Sequence, residues 1–385
     1  MKPIYLDHAA STPVHPEVAE VIYHMLTGQY GNASSVHQFG RAAKKVVNGA
    51  RDEIAGLLRC APDEWVFTSG GTESDNLALF GAAYAGAVSG KGKHVITTAI
   101  EHHAVLHSCE ELEKEGFEVT YLPVDRTGRV SVSEVEAALR EDTVLISVMF
   151  ANNEVGTVQP IEEIGRLAAE RGILFHVDAV QALGALKIDL SELPVDYMSF
   201  SAHKLGGPQG IGGLYVRRGA PLHPRSHGGS QERGRRAGTE SLAGTAGFAR
   251  AVRLAVNGLE ARREHAFTLR HTLLELLNNS LGEDGFVING NETHFLPGIL
   301  NVSFPGVRTD IMLMNLDMEG IAAASGSACT SGSLEISYVL KAMQLPEQLL
   351  ESAIRFSTGL GNTKEEIEFA AKKLETIVKR LRTKE

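Results

Sequence analysis

A chain of 385 residues, 43% hydrophobic and 22% charged, is long enough for two or three domains and can bury a large core without disulfide or metal staples. A net charge of −10 argues against sequence-independent nucleic-acid binding, and the short basic patch at 233–236 does not reverse it. Cys60, Cys109 and Cys329 are widely spaced and odd in number, which is no disulfide framework and no zinc cluster, so a reducing compartment is expected.

The opening Met1-Lys2-Pro3-Ile4-Tyr5-Leu6-Asp7 lacks the apolar core of a signal peptide. The longest mostly apolar stretch, 77–88, is too short and too glycine-broken to span a bilayer. The expected location is cytoplasmic, with no membrane partner. Residues 1–13 read as an extended arm. A helix is expected over 16–27, where Val18, Val21, Ile22 and Met25 recur at helical spacing until Gly28. After a polar loop at 30–40, a second helix is expected over 41–59 with Val47, Ala50, Ile54 and Leu58 on one face.

The pattern then changes. Trp65-Val66-Phe67-Thr68 reads as a strand, followed by Ser69-Gly70-Gly71-Thr72-Glu73 and a helix to about 87. Such a strand, Gly-Gly turn and helix start turns free backbone N–H groups outward, the geometry that holds phosphate; a plain strand-to-helix turn reads the same way. Strands at 94–99, 118–123, 143–150 and 173–178 alternate with helices at 104–115, 133–140 and 161–171. The runs at 143–150 and 173–177 are apolar without alternation, as in strands buried on both faces, so a largely parallel sheet covered by helices is expected. Ligands sit at the carboxyl ends of such strands. That placement alone makes Thr72, His102, Asn153, Asp178, Gln181, Ser201, His203 and Lys204 the site candidates.

Tyr197-Met198-Ser199-Phe200-Ser201-Ala202-His203-Lys204 pins a lysine between two strand-like runs, the second being 211–216. Lysine forms Schiff bases with carbonyl cofactors once burial lowers its pKa, whereas a lysine at a strand end reaching water is the structural alternative. The glycines of 206–213 are no dinucleotide fingerprint, because a strand follows them where that fingerprint needs a helix. His103 and His107 are spaced i, i+4, but no third ligand is evident, so no metal is expected.

Past 255 the alternation weakens. A long helix is expected over 261–279, a strand at 298–302, and a short helix at 311–318. A Gly/Ser/Ala loop holds Cys329, a helical stretch spans 334–344, and a strand covers 353–357. A last helix covers 363–382, with Thr363 and Glu366 as a capping box. The expected division is a large α/β domain over 14–255 and a smaller α+β domain over 256–385 with arm 1–13, carrying the cysteine loop at 325–333.

Asp178 ends a buried strand, so its carboxylate is either a helix N-cap or paired with a cation. A protonated pyridine nitrogen is one such cation, and pyridoxal phosphate supplies it. Asp178 precedes Lys204 by 26 residues, about one strand–helix–strand unit, and Gly70–Thr72 offers the phosphate cradle. Cys329 lies in Ala-Ser-Gly-Ser-Ala-Cys-Thr-Ser-Gly-Ser, a small-residue setting suited to a reactive, moving thiol or to a tolerated exposed one.

Over nearly its whole length the chain resembles the NifS/IscS-type cysteine desulfurases, enzymes of the class-V aminotransferase family. The motifs that carry the resemblance are Tyr5-Leu6-Asp7, Thr68-Ser69-Gly70-Gly71-Thr72-Glu73-Ser74-Asp75-Asn76, Glu101-His102, Asn152-Asn153-Glu154-Val155-Gly156 and His176-Val177-Asp178-Ala179-Val180-Gln181. Ser199 to Lys204, His227-Gly228-Gly229, Gly238-Thr239 and Ser325-Gly326-Ser327-Ala328-Cys329-Thr330-Ser331 complete the set.

The resemblance implies the aspartate-aminotransferase-like PLP fold type I, with a mostly parallel seven-stranded sheet in the large domain. It implies pyridoxal 5′-phosphate as cofactor and a homodimer. It implies removal of sulfur from L-cysteine, giving L-alanine and a persulfide on Cys329. Lys204 would carry the cofactor, and His102 would stack on its ring and shuttle protons. Asp178 would hold the ring nitrogen, with Gln181 and Asn153 at the phenolic edge. Gly71, Thr72, Ser201 and His203 would hold the phosphate, with Thr239 reaching in from the partner subunit. Arg355, with Asn153, would bind the substrate.

His8-Ala9-Ala10-Ser11-Thr12-Pro13 departs from the Ala-Thr-Thr-Pro common in relatives, and Ile336 stands where proline is frequent; neither removes a catalytic group. The last helix is expected to end at about Arg382, and beyond it no tail of the kind some relatives use to dock an iron–sulfur scaffold is expected. That leaves the sulfur acceptor open between an Fe–S scaffold, where Cys329 would take part in Fe–S transfer, a tRNA thiolase and cofactor sulfuration. The alternatives are a selenocysteine lyase or other PLP lyase, and, outside the enzymes, a sulfur-carrier scaffold subunit.

Overall fold

The computed structural model describes residues 3–326 and 336–383. Its centre is a seven-stranded sheet with the spatial order Trp65–Thr68, Gly212–Val216, Tyr197–Ser201, Leu174–Asp178, Thr143–Ser147, His94–Thr98 and Glu118–Leu122. Gly212–Val216 runs against both of its neighbours, and the other pairings are parallel. Connection length explains this: a short turn links Tyr197–Ser201 to Gly212–Val216, while parallel neighbours need a crossover, which helices supply elsewhere. Every residue of the strands Thr143–Ser147, Tyr197–Ser201 and Gly212–Val216 is buried, the physical basis of their unbroken apolar runs.

The helix Gly71–Val88 is apolar around most of its girth and packs into the core, which accounts for the apolar stretch 77–88. Gly86 lets it approach the sheet, since a Cβ there would lie 2.7 Å from Val144. Among the described residues no helix is long and apolar enough to cross a membrane.

Several boundaries differ from the sequence expectation. The strand expected over 143–150 ends at Ser147, although Val148 and Phe150 still donate backbone bonds to His176 and Asp178, at 3.1 and 2.8 Å. The helix expected over 334–344 is confined to Tyr338–Ala342 among the described residues. Leu242–Asn257 is a helix that periodicity did not reveal. Its glycines weaken the helical signal but serve packing: a Cβ on Gly247 would come within 2.8 Å of Ile22 on the helix Pro16–Gly28.

A second core lies on a three-stranded antiparallel sheet of Ala353–Ser357, Ile299–Ser303 and Val287–Asn289. Leu269 and Leu273 from the helix Leu259–Leu281 and Leu374 from the helix Lys364–Arg382 cover it. The capping box forms as expected, Glu366 N–H donating to Thr363 Oγ1 and Thr363 N–H to Glu366 Oε2, each at 3.2 Å. Val339, Leu340 and Met343, late in the sequence, pack instead into the core of the large sheet.

The arm joins the two regions. Ile4 and Tyr5 pair in parallel with Ile321 and Ala322. Ser357 then donates its N–H to Leu6 at 2.8 Å, and Thr12 donates its own to His203 at 2.9 Å. The first dozen residues thus run from the small sheet to the turn that carries Lys204.

Candidate active site

The parallel strands end around a cavity of about 340 Å³, the size of a small-molecule site. Gly71, Thr72, His102, Asn153 and Asp178 line it, as do Gln181, Ser201, His203, Lys204 and Arg355. Strand period and topology therefore bring ten of the expected residues together. Thr239 stands apart, in a crevice with Phe67 and Arg236. Cys329 lies outside the described residues.

Lys204 follows Ser201 on a single 3-10 turn and points inward rather than to bulk water. Its Nζ donates to the carbonyl oxygens of Ala9 and Ala10, the latter at 2.9 Å. Burial, and then the positive charge of Arg355, lower its pKa to about 8. Near neutral pH an appreciable fraction of this amine is thus unprotonated and nucleophilic.

Asp178 is buried and accepts one hydrogen bond, from Val180 N–H at 2.9 Å. Burial raises its pKa to about 6, and buried Asp75 adds to the rise. Beneath it His176 sits between Ser147 Oγ at 2.8 Å and Ser199 Oγ at 3.0 Å, with Asp75 Oδ1 3.5 Å away. Burial drops the His176 pKa to about 4, so the ring is neutral and cannot serve as the missing cation. Among the described residues no cation forms an ion pair with this carboxylate, whose one hydrogen bond comes from a backbone N–H, and a protonated heterocycle nitrogen set against it would favour the ionised form.

The opposite end is built to hold an anion. The helix Gly71–Val88 begins at Gly70 with no side-chain cap, so its first-turn N–H groups are left to a ligand. A Cβ on Gly71 would meet Val180 Cγ2 at 2.7 Å, so only glycine leaves this space open. His203 beside it has its pKa lowered to about 4 by burial. A carboxylate without an ion-pair partner, a lysine of lowered pKa and an uncapped helix N-terminus around one cavity fit pyridoxal phosphate at its ring nitrogen, aldehyde and phosphate respectively.

Arg355 is buried on the Ala353–Ser357 strand. It donates from Nη2 to Asp7 Oδ1 at 2.8 Å and from Nη1 to Asn153 O at 3.1 Å. Its Nε, like Asn153 Oδ1, is buried without a partner. A guanidinium steered by two fixed contacts, with one donor unspent, suits a substrate carboxylate.

The sequence reading assigned no role to several residues of this wall. Asp75 is one turn into the helix after the Gly-Gly turn, and its 1% exposure was the cue that only the fold supplies. Tyr338 donates to Glu101 O at 2.6 Å and packs 4.7 Å from the ring of His103. Glu154 accepts from Ser337 and lies against Gly326, where a Cβ would come within 2.3 Å of its Oε2. It therefore touches described residues on both flanks of the cysteine segment.

Buried acids give the protein a pH signature. Burial raises Glu101 to about 8, and Asp75 and Glu154 to about 7, above their values in an unfolded chain. The folded form then binds protons that the unfolded form has released, so this contribution is complete at acid pH and is lost as pH rises towards 8. The melting temperature of the cofactor-free protein should fall as pH rises from about 4.5 to about 8, and Glu101→Gln should flatten that slope. A variant with the wild-type slope would assign the effect elsewhere.

The class-V aminotransferase family model matches residues 4–369. A putative cysteine desulfurase, IscS 1, of Bacillus subtilis is 49% identical over 382 residues, covering 99% of this chain and all of the relative. The cysteine desulfurase IscS of Dictyoglomus turgidum is 46% identical over 380 residues, covering 99% of this chain and 95% of that protein. Among solved structures, a NifS-like protein superposes with a TM-score of 0.91 at 39% identity, covering 98% of this chain and 100% of that one. The structure described as SspA in complex with cysteine has a TM-score of 0.82 at 38% identity, with coverages of 92% and 99%.

Proposed function

The chain belongs to the class-V aminotransferase family, and from that premise we propose that it is a pyridoxal-phosphate-dependent cysteine desulfurase. It takes sulfur from L-cysteine, releases L-alanine and carries the sulfur as a persulfide on Cys329. The observation that carries this reading is the Asp178 carboxylate, without an ion-pair partner among the described residues, in one cavity with Lys204 and an uncapped helix start, in a chain 46% identical to a cysteine desulfurase.

Pyridoxal phosphate, when bound, supplies an electron-poor ring that stabilises negative charge at the substrate Cα. Asp178 holds the ring nitrogen, Gln181 and Asn153 face the phenolic edge, and Gly71, Thr72, Ser201 and His203 hold the phosphate. Arg355 fixes the substrate carboxylate through its unspent Nε. Lys204, its pKa near 8, is tuned to take a Cα proton and return it close to neutral pH. His102 has its pKa lowered, chiefly by burial, and so is a neutral base able to accept and pass a proton. The Cys329 thiolate bonds to the substrate sulfur as the substrate's carbon–sulfur bond breaks, and the carbon takes a proton to become the alanine methyl group.

This reading includes a cytoplasmic homodimer in which Thr239 reaches the partner's phosphate site, in keeping with its position outside this chain's own cavity. It divides the chain into residues 14–255 and 256–385 with the arm, in keeping with two separate cores. The acceptor is a protein, an Fe–S scaffold or a tRNA thiolase. Purified protein should be yellow and should release alanine from cysteine in step with sulfide under reductant. A colourless wild type that gains no colour with added cofactor sinks the proposal, and faster turnover of selenocysteine than of cysteine would turn it towards a lyase.

A further inference from the structure

A second cavity, about 100 Å³, shares Lys204, Ala9 and Gln181 with the first. That is room for roughly three waters at ~30 Å³ each, or for one molecule of a few heavy atoms. Its walls are the start of the helix Leu259–Leu281, the arm, and the turn after the strand Ala353–Ser357.

The charge in this wall is one-sided. Lys204, Arg262 and Arg263 line it with His8 and His265, and among the described residues no Asp or Glu does. Arg263 reaches Glu260 at 3.7 Å. Arg262 donates from Nε to Gly184 O at 3.1 Å, and among the described residues no carboxylate pairs with it. Burial lowers the Arg262 pKa with no acidic neighbour to offset it. A chain with ten net negative charges has thus gathered cations around a small space and left one of them, Arg262, without an acidic partner among the described residues.

Two further polar atoms in the same wall, His8 Nδ1 and Thr358 Oγ1, are shielded from solvent and have no partner. Gly359 packs closely against the first of them, since a Cβ there would come within 2.3 Å of His8 Nδ1. Leu183, Ala185, Ala266 and Leu296 supply an apolar side to the same space.

We propose that this cavity binds a carboxylate of two or three carbons, its oxygens held by Arg262 and Thr358 and its tail lying against Leu183 and Leu296. The absence of an acidic wall selects against zwitterions, because an ammonium group would find no anion there. The substrate and product amino acids are therefore not its ligands.

The test uses the holoenzyme and isotope-labelled propionate, with saturation-transfer NMR to detect binding and calorimetry at low salt to measure it. Wild type should bind propionate saturably. Arg262→Gln should weaken binding at least about tenfold, the scale of one lost charge-assisted contact, and Arg262→Lys should recover part of it. Arg355→Ala should bind as wild type does, which separates this site from the substrate carboxylate site. Visible absorbance and melting temperature show that each variant is folded and loaded. The proposal is overturned by wild type that does not bind saturably, by equal binding in Arg262→Gln, or by binding lost in Arg355→Ala. L-Alanine binding there as tightly as propionate would also overturn it.

Discussion

Lys204→Ala is expected to give a folded but colourless enzyme with at least about 10³-fold lower turnover of cysteine. Two separate losses combine in this figure. In the proposed mechanism the side chain is both the covalent anchor for the cofactor and the base at Cα, the latter role worth ~10²–10⁴-fold by itself. Folding should survive, because Nζ meets only the Ala9 and Ala10 carbonyls, which water can serve instead. Absorbance, bound-cofactor analysis and alanine release measure the three parts. Added methylamine should recover some proton transfer but not anchoring. A variant that keeps its colour through dialysis and its activity would remove Lys204 from both roles.

Cys329→Ser should do the reverse. Colour and cofactor content stay as in wild type, since Lys204, Asp178 and the helix start at Gly70 are untouched. Persulfide formation disappears, and alanine release falls by more than about 10²-fold, the scale of losing an activated nucleophile, because a serine hydroxyl ionises far less readily than a thiol and offers no comparable anion. Mass spectrometry after a pulse of cysteine reads the persulfide as one added sulfur on the wild-type peptide. Full activity in this variant would assign sulfur transfer to another group. Cys109 is a poor substitute, being buried, with its thiol pKa raised out of the physiological range, and burial likewise pushes the half-buried Cys60 up to about 12. The two variants together split the chemistry: one loses the cofactor, the other only the sulfur carrier.

Much of this architecture was legible because buried parallel strands advertise themselves. Apolar runs without alternation located the strands ending at Ser147, Asp178 and Ser201, and the strand-end rule then pointed at Asp178, His203 and Lys204. What remained hidden depends on contacts between distant parts of the chain. Asp75 reads in sequence as an ordinary acid in the first turn of a helix, and only the packed sheet shows it beside His176. Glu154 lies within the run Asn152-Asn153-Glu154-Val155-Gly156, yet its hold on Ser337 spans 183 positions. The helix Leu242–Asn257 escaped notice because Gly244 and Gly247, needed for close packing, are poor helix formers. Arg262 gave no signal at all: its meaning lies in the missing carboxylate, which no linear pattern displays.

The arm has a consequence for how the enzyme is made. Asp7 pairs with Arg355 at 2.8 Å, and Ser357 hands its N–H to Leu6 at 2.8 Å. The arm is thus held by a strand 348 positions further along the chain. Lys204, the Gly70 helix start and Asp178 are complete long before that strand exists, but the carbonyls of Ala9 and Ala10 reach the lysine from an arm not yet anchored at its other end. A growing chain therefore carries Lys204, Asp178 and the Gly70 helix start, the parts proposed to capture cofactor, before it carries Arg355, the guanidinium proposed to hold substrate.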